Sequence, residues 1–136
     1  MFFIDANIFL EIQLADKKKE ECKNFLRKVN GGEFSAITSN FIVYSSLLQI
    51  YNKFNSVERM KKFILSLSGI ENLEIFAPNI EIILKTLDKM KEYNLDFDDA
   101  LVVASMFANK IKKLVSFDKH FDKIKEIERI EPKDAL

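Results

Sequence analysis

The stretch Met1-Phe2-Phe3-Ile4-Asp5-Ala6-Asn7 decides the reading of the chain. A short apolar run stops at an acid, the pattern of a buried strand that ends at Ile4. Asn7 to Ala15 then reads as a helix, with Asn7 available as its N-cap. The same pattern returns near the other end of the chain, where Leu114 to Phe117 runs into Asp118.

Between these ends, strands and helices alternate. A helix opening at Asp16 sets Cys22, Phe25, Leu26 and Val29 on one apolar face and stops at Gly31-Gly32. Phe34 to Ile37 is a second strand, and Thr38-Ser39 caps an apolar helix running to Phe54. Further helices are expected over Ser56 to Ser68, from the cap Asn79 through Met90, and over Asp98 to Lys112. Leu73 to Ala77 and Ile127 to Ile130 supply the remaining strands. Ala100, Ala104 and Ala108 recur every fourth residue, which would let the last long helix lie close against a sheet. Phe41 to Tyr51 is apolar enough to read chiefly as a core helix, with a dimer face as the alternative. Strands separated by helices give an α/β fold: a three-layer α/β/α sandwich around a mostly parallel sheet of four to five strands.

Composition narrows the class. The 136 residues hold 21 basic and 21 acidic side chains, one His and one Cys. That length suits one domain over residues 1–136. A single Cys excludes an internal disulfide and a multi-cysteine zinc site, and Cys22 itself falls on an apolar helix face. No apolar run reaches the roughly 20 residues that span a bilayer, and the N-terminus lacks a basic segment before its apolar run. A soluble, cytoplasmic protein is expected. Zero net charge argues against a protein that coats nucleic acid through bulk basicity. Lys17-Lys18-Lys19, Lys53, Arg59-Lys61-Lys62 and Lys110-Lys112-Lys113 are candidate phosphate contacts. Interleaved Glu20, Glu21 and Glu58 make them read first as solvated helix faces.

The acids carry more information than the total. Asp5 and Asp118 end strands, and Asp99 lies in the first turn of a helix. In a parallel sheet all three can meet at the carboxyl edge, where ligands collect. Each has a structural explanation too: Asp favours turns, helix caps and the positive end of the helix dipole. Together, clustered carboxylates repel unless a cation neutralises them, and oxygen ligands favour Mg²⁺ or Mn²⁺.

The ordered set resembles the PIN domain family, small metal-dependent ribonucleases that include the VapC toxins. Four stretches carry the resemblance: Met1 to Asn7, Thr38-Ser39-Asn40-Phe41-Ile42-Val43, Leu95-Asp96-Phe97-Asp98-Asp99-Ala100-Leu101, and Leu114-Val115-Ser116-Phe117-Asp118. The resemblance implies that Asp5, Asp99 and Asp118 are catalytic and metal-binding, with Asp5 and Asp99 on the main ion and Asp118 assisting. It implies supporting roles for Asn7 and for Ser116, which replaces a usual Thr. The family's second acid, a glutamate, falls here on Ser45, a degenerate position where Asp96, Asp98 or Glu11 would have to substitute through water. His120 stands where many relatives carry a further acid.

The implied activity is Mg²⁺- or Mn²⁺-dependent hydrolysis of single-stranded or structured RNA, leaving a 5′-phosphate and a 3′-hydroxyl. A toxin role would bring an antitoxin partner and a homodimer. The alternative is a catalytically impaired PIN module that binds RNA or a protein. Other hydrolase classes fit less well. Haloacid-dehalogenase-type phosphatases need D-x-D at the first strand, and position 7 is Asn. Phosphoreceiver domains need paired acids near the first strand together with a later central Asp, and no such set is found. No G-x-G-x-x-G or G-x-x-x-x-G-K-[ST] loop is present.

Overall fold

The computed structural model describes residues 1–136. Its strands are β1 (Phe2–Ile4), β2 (Ala36–Ser39), β3 (Leu73–Phe76), β4 (Lys113–Val115) and β5 (Glu128–Ile130). Its helices are α1 (Ala6–Gln13), α2 (Lys19–Asn30), α3 (Asn40–Phe54), α4 (Val57–Ser68), α5 (Ile80–Tyr93) and α6 (Phe97–Ala108). Short 3₁₀ turns follow β4 at Lys119–Lys123 and β5 at Pro132–Asp134.

All strand pairs are parallel, in the order β3-β2-β1-β4-β5. The chain therefore winds outward from β1 through β2 to β3, then crosses back to start again at β4. Right-handed crossovers put α1–α4 on one face and α5–α6 on the other, giving three layers. The reversal leaves a crevice beyond the carboxyl ends of β1 and β4, the place where open parallel sheets hold ligands.

Apolar strands fit because both sheet faces are covered. Phe3, Ile4, Ile37, Leu114 and Val115 are almost wholly buried. Phe2 meets Phe25 and Phe34 edge to face while Phe25 and Phe34 stack, with centroids 5.1 to 5.7 Å apart. The Thr38 hydroxyl donates to the Ile4 carbonyl at 2.8 Å, fixing the exit of β1 against β2. Ser39, Ser56 and Asn79 cap α3, α4 and α5 through their side chains, with Ser39 and Asn79 the caps the sequence suggests.

Several expectations need correction. Asn7 lies inside α1; the N-cap is Asp5, whose Oδ1 accepts from the Ala6 N–H at 2.8 Å. α2 starts at Lys19 rather than Asp16, and α6 stops at Ala108 rather than Lys112. The alanine column turns partly toward α5: Ala104 and Ala108 line a groove with Lys85 and Lys89. α3 is only half core, burying Ile42, Val43, Ser46 and Ile50 while Tyr44, Leu48 and Tyr51 are exposed. No helix is long and apolar enough to cross a membrane.

Candidate metal centre

Asp5 leaves β1 directly into α1, so one carboxylate oxygen is spent capping its own helix. The other, Oδ2, accepts from the Ser116 hydroxyl at 2.6 Å and from Asn7 Nδ2 at 3.3 Å. Ser116, just past β4, is fully used: it donates to Asp5 and accepts from Asn7 Nδ2 at 3.1 Å and the Asp118 N–H at 3.0 Å. Asn7 Oδ1 accepts the Phe117 N–H at 3.4 Å. The exits of β1 and β4 are thus laced together. A carboxylate has about four acceptor positions, so Asp5 keeps one on Oδ1.

β4 also receives outside support. Arg129, which the sequence reading missed, donates from Nη1 to the Ser116 carbonyl at 3.0 Å and from Nε to Asp122 at 2.7 Å. Its only signal would have been its strand register, one residue before the Val115–Ile130 pair.

α6 runs antiparallel to β4, which brings its N-terminus, and Asp99 with it, to the carboxyl edge of the sheet. One ligand atom each from Asp99, Asp118 and His120 lie within 4.8 Å of one another. His120 Nδ1 stands 3.0 Å from Asp118 Oδ1 and 3.7 Å from Asp99 Oδ2. The His120 N–H also donates to Asp118 Oδ1 at 2.9 Å, so the 3₁₀ turn aims the ring at the acids. The sequence marks His120 as a candidate general base but chiefly as an exposed turn histidine; its proximity to Asp99 is purely tertiary.

The electrostatics match the crowding. Burial, then repulsion from Asp118, Asp5 and Asp98, pushes the Asp99 carboxyl up to about 6. Asp5 is raised too, mainly by burial, against the lowering effect of Ser116 and Ala6. No lysine or arginine forms an ion pair with Asp5, Asp98, Asp99 or Asp118; the basic group paired with the acids is His120, and Arg129 acts on Asp118 only at longer range. A crevice with this much uncompensated carboxylate fits a divalent cation.

The proposed substitutes for the missing glutamate stand outside the close group of ligand atoms, as Asp5 itself does. Glu11 Oε2 accepts the Lys18 N–H at 3.1 Å. Asp96 is the exposed N-cap of α6 and forms no side-chain cap bond. Asp98 stays exposed and acts on Asp5 and Asp99 only through its charge. Phe41 at the start of α3 meets Phe97 at the start of α6, with centroids 5.9 Å apart. Ser45, one turn further along α3, turns its hydroxyl to the Ile42 carbonyl at 3.2 Å.

A family model for the PIN domain matches residues 2–127. The chain belongs to the PIN domain family. Among curated relatives of this PIN domain, Ribonuclease VapC6 of Methanocaldococcus jannaschii is 25% identical, over 94% of this chain and 95% of the relative. Solved PIN-fold structures superpose closely. The Mycobacterium tuberculosis VapC20 toxin, described as cleaving the sarcin-ricin loop, gives a TM-score of 0.76 at 13% identity, covering 90% of this chain and 93% of that one. VapBC2 from Rickettsia felis, bound to promoter DNA, gives 0.75 at 14% identity, covering 96% and 97%.

Of the basic patches, Lys18 of the PIN domain sits 4.3 Å above the ring of Phe117, the residue between Ser116 and Asp118, and 3.6 Å from Glu131. Lys113 opens β4 opposite Phe2, so Lys112 and Lys113 lie at the amino edge of the sheet, away from the crevice.

Proposed function

We propose that residues 1–136 form a single PIN-like domain that acts as a divalent-metal-dependent endoribonuclease, the toxin of a toxin–antitoxin pair in the cytoplasm. The observation that carries this reading is the carboxylate cluster at the β1–β4 crevice of a PIN fold, with His120 beside it and no lysine or arginine paired to it. Asp5, Asp99 and Asp118 would hold Mg²⁺ or Mn²⁺, which when bound acidifies a water and stabilises charge on a phosphodiester.

The chain's own residues do the positioning. Ser116 and Asn7 fix the orientation of Asp5 through its Oδ2, while its Oδ1 accepts from the Ala6 N–H and keeps one acceptor position that a cation would use. Asp99 and Asp118 enter from different elements, so a cation between them would tie α6 to β4. Lys18, at the rim, offers a charge to an approaching phosphate.

Two protein partners complete the proposal. The groove between α2 and α4, walled by Leu26, Leu65 and Ile70 with Lys23 and Arg27 on its rim, suits an amphipathic antitoxin segment carrying acids. The apolar surface made by Tyr44, Ile64 and Ile75, with Leu48 exposed on the same helix as Tyr44, suits a second copy of the chain.

The test is cleavage of single-stranded and structured RNA in Mg²⁺ or Mn²⁺. Wild type should cut, and Asp5→Asn, Asp99→Asn and Asp118→Asn should each lose activity by about 10²-fold or more. Ser45 favours a second reading, since its hydroxyl supplies no charge and bonds to its own helix. If wild type is inert while Ser45→Glu cuts, the chain is the catalytically impaired binding module.

A further inference from the structure

We propose that His120 is a nitrogen ligand in this centre, and that it makes the site prefer borderline transition metals over Mg²⁺. The inference rests on the metal-centre reading above and adds a ligand to it. Two donors at right angles around an ion, each about 2.1 Å away, stand about 3.0 Å apart, and opposite donors about 4.2 Å apart. His120 Nδ1 is 3.0 Å from Asp118 Oδ1 and 3.7 Å from Asp99 Oδ2, inside that range for both acids. The ring is held there by the turn that Asp118 caps, although its side chain is 75% exposed and no packing requires it.

The chemistry of the remaining donors makes this ligand consequential. Ser45 brings no carboxylate, and two of Asp5's acceptor positions are committed to Ser116 and Asn7 on a single oxygen. The tight group is two carboxylates and one imidazole. Carboxylate-only shells suit Mg²⁺, whereas an imidazole nitrogen shifts affinity along the order Mn²⁺ < Fe²⁺ < Co²⁺ and toward Zn²⁺. Only neutral imidazole coordinates, so Nδ1 would hold the ion with the ring hydrogen on Nε2.

The chain has one histidine, which gives the test an unambiguous readout. Pulsed electron paramagnetic resonance of Mn²⁺ bound to the whole chain should show coupling to an imidazole nitrogen, and His120→Ala should abolish it. Calorimetric titration should show His120→Ala weakening Co²⁺ by about tenfold or more while Mg²⁺ changes by less than about twofold. His120→Asp should reverse the preference, favouring Mg²⁺. Mn²⁺ bound without nitrogen coupling, or equal losses for Co²⁺ and Mg²⁺ in His120→Ala, would overturn the His120 assignment and leave the carboxylate centre standing. Absence of any divalent binding by wild type would overturn both.

Discussion

Asp99 is the residue at which the conflict of charges is sharpest. In the unfolded chain its carboxyl titrates near 3.8, and in the fold it is pushed up to about 6 by burial and then by its acidic neighbours. A carboxyl whose pKa rises on folding stabilises the fold fully below about pH 4 and loses that stabilisation as pH climbs through about 6. Asp5 shifts in the same direction. Without divalent cations, Asp99→Asn should therefore melt higher than wild type at pH 7, and the gap should close by pH 4. Added Mn²⁺ should raise the wild-type melting temperature at pH 7 and leave Asp99→Asn nearly unmoved. Calorimetry across that pH range measures both; a gap that does not depend on pH would refute the account.

Ser116 gives a second prediction at this scale. Its single hydroxyl joins Asp5, Asn7 and the Asp118 N–H. Ser116→Ala should leave Asp5 Oδ2 without its shortest bond, costing about 1–3 kcal/mol of stability. Ser116→Thr should retain the hydroxyl network, and denaturant melts separate the two variants. The candidate acids Asp5, Asp99 and Asp118 were readable because each follows an apolar strand or opens a helix. His120 was not, since nothing local tells which way an exposed turn residue points.

Among the elements, what could be read depended on whether side chains announce the boundary. Ser39, Ser56 and Asn79 are strong caps, and those three helix starts came out within a residue or two. The chain leaves α1 through Ala15, at φ 56°, and leaves α6 toward β4 through Lys110, at φ 55°. Glycine or asparagine is usual in that left-handed region, so alanine and lysine there give no stop signal and the neighbouring boundaries were misplaced. Helix interiors offer a test as well. The Ser46 and Ser105 hydroxyls are buried in α3 and α6 with no hydrogen-bond partner. Ser105→Ala removes an unsatisfied hydroxyl and improves helix propensity, so it should add about 1 kcal/mol, or about 3 °C in melting temperature. Loss of stability would mean that the hydroxyl has a partner in solution.

For the molecule as a whole, the order of strands explains why three acids distant in sequence share one crevice. The alternation of strands and helices made the parallel sheet legible, but the strand order, and so which strand ends are neighbours, is set by packing. The exposed apolar side chains of α3, α4 and β3 make a further prediction. Light scattering should give twice 15.9 kDa for the wild type. Leu48→Asp combined with Ile75→Asp, both at exposed positions, should give a monomer with an unchanged far-ultraviolet spectrum. A wild-type monomer at micromolar concentration would remove the dimer from the proposal.

The bond between Ser116 and Asp5 spans 111 positions of the chain. A ribosome adding about 5–20 residues per second needs on the order of 10 s to travel that far. The Ser116 N–H also waits for its acceptor, the Ile130 carbonyl, which is made later still. A nascent or prematurely ended product therefore carries Asp5 and Asp99 without the strand that assembles them into a centre. The nuclease proposed above would therefore stay unarmed while it is being made, because its centre closes only when synthesis is nearly finished.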